Sequence, residues 1–142
     1  MEKHDLVEIE QQEERKEVFC MRDYQVRKAS ESGYIEMLEG IERKTLVYGN
    51  DTLMCEFRLA KGKTLPMHKH PHEQSGYLVS GHIIMIINGE KHEMRPGDSW
   101  TINGNLEHGA EVKEDSLAVE VFSPVREDYK LGFNLKLAQR HQ

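Results

Sequence analysis

Residues 62–81 read GKTLPMHKHPHEQSGYLVSG. His68 and His70 are two positions apart, so in an extended strand both side chains point to the same face, and Gln74 keeps that parity four residues later. His108 belongs to a separate predicted strand. Three imidazoles and one amide oxygen that converge inside a barrel suit a first-row divalent metal, and zinc, iron, manganese and nickel all remain candidates.

Short predicted strands flank this stretch on both sides. Residues 52–59 alternate apolar and polar side chains, which is typical of a half-buried strand. Residues 83–87 form an apolar run, and the pair Asn88-Gly89 that follows it favours a type I′ hairpin turn. Many short strands with no helices between them predict an all-β sandwich or closed barrel.

Several residues of these strands and turns are interpreted as structural. Large side chains predicted to fill the core are Tyr77, Met85, Met94 and Trp100. Glycines predicted to mark turns with unusual backbone angles are Gly62, Gly81, Gly89 and Gly97. Histidines near turns or termini, among them His82 and His92, are predicted to lie in solvent.

The spacing of two sequence blocks resembles the cupin superfamily. The first block runs from Gly62 to Gly81, and fifteen residues separate Gly81 from Gly97 in the second block, which ends at His108. The resemblance covers roughly residues 34–129 and implies an all-β fold, the cupin double-stranded β-helix (jelly-roll) barrel. It implies that one divalent metal ion (Zn, Ni, Fe or Mn) is bound by His68, His70, Gln74 and His108.

One departure from the common cupin pattern affects the predicted chemistry. Gln74 stands where the family usually has a Glu, and a neutral amide leaves the charge of the metal uncompensated, which makes it a stronger Lewis acid. Glu73 is one residue out of phase, so its carboxylate is expected to point away from the interior. His72 shares the parity of the ligands, but Pro71 disturbs the strand beside it, and we expect His72 to lie outside the site.

Residues 120–129 read EVFSPVREDY. Glu120 and Phe122 face the same side of a strand that Pro124 ends, and Arg126 can fold back over the barrel mouth. Together with HPHEQ at 70–74, this segment resembles one subgroup of small cupins, the pectin degradation proteins, which linearise 4,5-unsaturated uronates. The resemblance implies catalytic roles for Glu120, Phe122 and Arg126, with Asp usual at the position of Glu120. The alternative is that Glu120 pairs with Arg126 only to tie down the tail.

Three functions remain open on this reading. The leading one is a metal-dependent enzyme that acts on a small anionic sugar or keto acid, as an isomerase, a lyase or a ring-opening enzyme of unsaturated uronates. An arginine can hold the carboxylate of such a substrate with two parallel hydrogen bonds. The second is a metal-dependent dioxygenase, and the third is a non-catalytic cupin that binds a sugar or acid with the help of a metal.

Length and composition suggest how the chain is organised. The 142 residues suit one domain. We predict a charged N-terminal extension over residues 1–30, the barrel over 31–129, and a tail over 130–142 that alternates apolar residues like an added strand. Cys20 and Cys55 fit no metal or redox spacing and are interpreted as free thiols.

Charge and hydropathy also limit the partners. The net charge of −6, with no basic stripe, argues against binding to nucleic acid. No apolar run is long enough to span a membrane, and the N-terminus shows no apolar signal region, so a cytoplasmic protein is expected. The resemblance to small cupins implies a homodimer.

Overall fold

Eight antiparallel strands and one helical turn make up the described part of the chain, residues 23–130 of the computed structural model. They are β1 (Ile35–Leu38), β2 (Ile41–Tyr48), β3 (Leu53–Leu59), β4 (Thr64–His68), β5 (Glu73–Ile87), β6 (Glu90–Met94), β7 (Ser99–Ile102), β8 (His108–Ser123) and α1 (Glu127–Lys130). The all-β prediction is confirmed. Most of the predicted N-terminal extension and nearly all of the tail lie outside the described residues, so those boundaries stay predictions.

The two longest strands, β5 and β8, organise the barrel. They pair along their whole length, from Glu73 opposite Ser123 to Ile87 opposite His108. The first half of β5 also pairs with β7, and the second half of β8 pairs with β3. The other halves pair with β6 and β4. Both long strands of the eight-stranded sheet therefore have different neighbours along their two halves, which is the jelly-roll arrangement that the resemblance implied.

A bulge at Gly81 bends β5 between the part that pairs with β7 and the part that pairs with β6. The pairing with β8 shifts between Leu78 and Ile83, and Gly81 has φ +94°. A side chain at Gly81 would meet the Ser116 hydroxyl and would place Cβ 2.5 Å from the carbonyl oxygen of Asp115. The unusual backbone angle was predicted, but β5 runs on through the bulge as one strand rather than ending in a turn.

We expect Gly81→Ala to lower the free energy of unfolding more than Gly89→Ala does. Both glycines have positive φ, which costs about 1–2 kcal/mol for a residue with a side chain. Only Gly81 is also enclosed, because nothing lies within 4 Å of a Cβ at Gly89, and overpacking adds about 1–3 kcal/mol. Urea denaturation of both variants measures the difference. Equal losses would show that the crowding at Gly81 is relieved without cost.

The bulge also changes which side chains of β5 face the interior. Gln74 and Leu78 are buried before it, whereas Ile83 and Met85 are buried after it, so the inward parity switches from even to odd. Tyr77 consequently lies on the outer face and is 50% exposed, and its prediction as a core residue is wrong. The core predictions for Met85, Met94 and Trp100 are confirmed.

Two local predictions are confirmed. Asn88 and Gly89 both have positive φ, 50° and 82°, as a type I′ turn between β5 and β6 requires. β3 buries Leu53, Cys55 and Phe57 and exposes Met54, as a half-buried strand should. Among residues 23–130, the structure holds no helix with the length and apolar character needed to cross a membrane.

Candidate metal centre

Three histidines meet at one end of the barrel interior. His68 ends β4, His108 begins β8, and the two are cross-strand partners. His70 follows β4 rather than lying in it, and its ring centroid is 5.0 Å from that of His108. One ring nitrogen from each of the three lies within 4.8 Å of the others. The structure thus brings together three of the four side chains that the sequence pointed to as metal ligands.

Backbone carbonyl groups orient all three rings. Each Nδ1 lies within hydrogen-bond distance of a carbonyl oxygen two residues away in sequence. The pairs are His68 with Pro66 (2.8 Å), His70 with His72 (3.0 Å) and His108 with Leu106 (2.8 Å). Because a carbonyl oxygen can only accept, each Nδ1 carries the hydrogen and each Nε2 is left with a free lone pair. Metal-binding histidines are typically held in this way.

Gln74 and Glu120 complete the cluster. The Nε2 of Gln74 donates a hydrogen bond to Oε2 of Glu120 at 2.6 Å, which leaves Oε1 of Gln74 facing Nε2 of His70 at 2.7 Å. Both of these atoms are then acceptors, and two acceptors at that distance repel each other unless a cation is shared between them. Nε2 of His108 is also buried and has no hydrogen-bond partner among the described residues. This donor set fits a divalent metal.

The protonation of the rings suits the same role. Burial, together with the nearby Arg126 cation, lowers the pKa of His70 to about 4. Burial also lowers the pKa of His108, although its hydrogen bond to the Leu106 carbonyl opposes the effect. Both imidazoles are therefore neutral near pH 7, as a metal ligand must be.

A cavity of about 310 Å³ lies beside the cluster. Its polar lining groups are His68, Gln74, His108, Glu120 and Arg126. Its apolar walls include Leu38, Phe57, Leu65, Met85, Trp100, Phe122 and Tyr129. Glu120 and Phe122 both face this cavity, as their shared strand parity predicted.

Glu120 and Arg126 face the same cavity but have different partners. Glu120 is half-buried, and burial raises the pKa of its carboxyl group to about 7, against the opposing effect of Arg126. Its hydrogen bond is to Gln74, whereas Arg126 forms an ion pair with Asp128 at 2.8 Å. The alternative in which Glu120 pairs with Arg126 to tie down the tail is therefore not the arrangement found.

Three other polar residues near the site lie apart from the cluster. Glu73 is exposed, as its parity predicted. The ring centroid of His72 is 5.7 Å from that of His70, and His72 is not among the clustered histidines. His82 is not in solvent as predicted, because its side chain is only 16% exposed and lies 2.9 Å from a carboxylate oxygen of Glu93.

Sequence reasoning missed one residue that shapes this cavity. Tyr129 is buried in α1 and stacks against the guanidinium group of Arg126, with 3.7 Å between Cζ and the ring centroid. The spacing of three residues between them is the signal, since a helical turn brings such a pair together. Trp100, which the sequence predicted as a core residue, also lines the cavity and packs across Gly76, its cross-strand partner, where the absence of a side chain makes room for the indole.

The fold and the histidine cluster together define a small β-barrel protein whose clustered side chains could hold a metal ion. The family model described as "Cupin domain" matches residues 55–124. The pectin degradation protein KdgF of Dickeya dadantii (strain 3937) is 34% identical over 101 residues, which span 70% of this chain and 92% of that protein. The chain belongs to the cupin family.

Two further relatives are similar in sequence or structure. The solved structure of KdgF from Halomonas sp. matches with a TM-score of 0.65 and 33% identity, over 67% of this chain and 88% of that one. The H2HPP isomerase of Bacillus subtilis is 31% identical over 93 residues, which span 64% of this chain and only 39% of that protein.

Proposed function

We propose that this protein is a metal-dependent enzyme that opens the ring of a small unsaturated uronate and so isomerises it to a linear keto sugar. The observation that carries the proposal is the half-buried carboxylate of Glu120, which accepts a hydrogen bond from the Gln74 side chain beside the histidine cluster and shares one cavity with Arg126. The similarity to a pectin degradation protein and to an isomerase supports the same reaction class.

The metal would be held by the Nε2 atoms of His68, His70 and His108 and by Oε1 of Gln74. A divalent ion bound there supplies a Lewis acid that polarises a substrate oxygen. Zinc, nickel, iron and manganese all suit three imidazoles and an amide oxygen, so the donor set favours none of them strongly. Gln74 would have two roles: its amide oxygen would bind the metal, and its amide nitrogen donates a hydrogen bond to Glu120.

Arg126 is the residue best suited to hold the substrate carboxylate. Its guanidinium group can donate two parallel hydrogen bonds to a carboxylate, and only 13% of its side chain is exposed. Phe122 lies in the wall between Arg126 and the cluster and offers an apolar surface to one face of a sugar ring. These two residues would orient the substrate so that its reacting atoms meet Glu120.

Glu120 is assigned the proton transfers. In the ring opening of an unsaturated uronate, the hemiacetal hydroxyl loses a proton and the bond between the anomeric carbon and the ring oxygen breaks. The resulting enolate then takes up a proton on carbon, so no atom is gained or lost. One carboxylate can remove the first proton and return the second. A carboxylate that faces the cavity beside the histidine cluster favours an isomerase over a dioxygenase or a binding protein without catalysis.

Proton NMR of the metal-loaded protein with 4,5-unsaturated galacturonate and mannuronate tests the proposal. We expect the vinylic proton signal of at least one sugar to disappear as the linear keto product forms. The same sugars with buffer and metal alone provide the control for spontaneous opening. Unchanged rates for both sugars in the presence of metal-loaded protein would refute the substrate assignment.

We also propose a cytoplasmic homodimer. The dimer is supported by three large apolar side chains on the outer face of the barrel, Met54, Tyr77 and Val79, which are 37–50% exposed and favour a partner surface there. The cytoplasmic location is supported by the free thiol of Cys55, which is compatible with a reducing compartment. Light scattering after size exclusion should return twice the chain mass of 16.5 kDa, and a value near 16.5 kDa would contradict the dimer.

A further inference from the structure

The ring of Tyr129 contacts two cations at once. The Cζ atom of Arg126 lies 3.7 Å from the ring centroid, and the Cζ atom of Arg43, in β2, lies 3.9 Å from the same centroid. Guanidinium groups at this distance are attracted to the face of an aromatic ring. Tyr129 thus connects a residue of the cavity with one that does not line it.

Arg43 is an unusual residue for its position. It is 6% exposed, and its Nε atom is buried with no hydrogen-bond partner among the described residues. Burying a cation without full pairing is costly, so stability alone gives no reason for an arginine here. Its guanidinium group lies against the Tyr129 ring.

β2 holds Tyr129 at a second point. The hydroxyl group of Thr45, two residues after Arg43, donates a hydrogen bond of 2.8 Å to the Tyr129 carbonyl oxygen. Both residues are buried and share the same strand parity. The backbone and the ring of Tyr129 are therefore both fixed by β2.

The position of the Arg126 guanidinium group depends on the Tyr129 ring that β2 holds in place. Apart from Tyr129, its close partner is Asp128, which it contacts through Nε at 3.3 Å and through a terminal nitrogen at 2.8 Å. The Asp128 side chain is 58% exposed, so solvent weakens that ion pair. The buried Tyr129 ring is the firmer support.

We propose that Arg43 is a positioning residue, which fixes the Tyr129 ring and through it aims the Arg126 guanidinium group into the cavity. The consequence for carboxylate binding rests on the proposed function of Arg126. The consequence for the mobility of Arg126 does not.

The first test measures Arg126 directly in zinc-loaded protein. Nitrogen-15 NMR follows hydrogen exchange at the Arg126 Nε–H group, assigned by its absence in Arg126→Lys. We expect Arg43→Met to speed this exchange by about tenfold, and Arg43→Lys, which keeps a cation but loses the planar stack, to speed it less. If Arg43→Met does not fold, Arg43→Lys carries the test. Unchanged or slower exchange in the folded variants would overturn the proposal.

The second test measures carboxylate binding with D-galacturonate as the probe. We expect Arg126→Met and Arg43→Met each to weaken binding several-fold, and the double variant to bind no more weakly than Arg126→Met alone. Lys130→Met, which removes a cation of α1 whose ring contact is with Tyr48, is the control and should bind as wild type. Additive losses would show that Arg43 acts on the ligand directly and would overturn the proposal.

The two tests separate the two proposals. In the first case, Arg43→Met speeds hydrogen exchange at Arg126 but Arg126→Met leaves carboxylate binding unchanged. This result would contradict the proposed function of Arg126 and support its positioning by Arg43. In the second case, Arg126→Met weakens carboxylate binding but Arg43→Met changes neither exchange nor binding. This result would contradict the positioning by Arg43 and agree with the proposed function of Arg126.

Discussion

Glu120→Gln should lower kcat on an unsaturated uronate by about 10²–10⁴-fold, the range expected when a general acid–base group is removed. Little change in KM is expected, because the substitution removes proton transfer and leaves the apolar walls and Arg126 in place. The new amide oxygen can still accept the hydrogen bond from Nε2 of Gln74, so the cluster keeps its orientation. Steady-state kinetics followed by the loss of the vinylic signal measure both constants.

Glu73→Gln is the matched control for this substitution. Glu73 is a carboxylate adjacent to Gln74 in sequence, but it is exposed and does not line the cavity. We expect its replacement to leave both kinetic constants unchanged. A wild-type kcat in Glu120→Gln, or an equal loss in Glu73→Gln, would contradict the assignment of proton transfer to Glu120.

His108→Ala should abolish both stable metal binding and turnover. His108 is buried, and its Nε2 atom has no other partner among the described residues. Replacing residues that merely orient metal ligands costs about 10–100-fold in affinity, so losing a ligand should cost more than about 100-fold. Metal content after dialysis and activity on the unsaturated uronate are the two measurements.

His92→Ala provides the comparison for the metal experiment. The His92 side chain is 49% exposed in β6, and its carboxylate neighbour Glu90 is also on the surface. We expect this variant to keep its metal and its activity. If His108→Ala retained a full equivalent of metal, or if His92→Ala lost it, the histidine cluster would not be the site.

Local sequence patterns could predict the hairpin and the histidine cluster because each depends on a few residues at fixed spacing. The Asn88-Gly89 turn needs only two residues that tolerate positive φ. His68 and His108 meet because β4 and β8 pair in the register that the barrel imposes. The hairpin follows from its two turn residues. The histidine cluster follows from the family spacing, since His70 lies outside β4 and strand parity does not place it.

The side chains of β5 show where parity fails. Tyr77 and Met85 have the same parity in sequence, yet the bulge at Gly81 places them on opposite faces. A single extra residue reverses the alternation of a strand. The position of the glycine was visible in the sequence, but whether it ended the strand or bent it depended on the pairing with β8.

The partner of Glu120 was equally hidden. Sequence order suggested Arg126, six residues away, whereas the structure pairs Glu120 with Gln74, 46 residues away, across β5 and β8. Arg126 is instead held by Asp128 and Tyr129 in the helical turn that follows Pro124. The contact between Glu120 and Gln74 arises from the pairing of β5 with β8 and leaves no short-range signal.

A crystal structure of the zinc-loaded protein with D-galacturonate tests the account most directly. We predict one metal ion about 2.0–2.2 Å from the Nε2 atoms of His68, His70 and His108 and from Oε1 of Gln74. The carboxylate of the ligand should be paired with Arg126, and Glu120 should face the sugar ring. A metal bound elsewhere, or a ligand carboxylate that does not contact Arg126, would contradict the account.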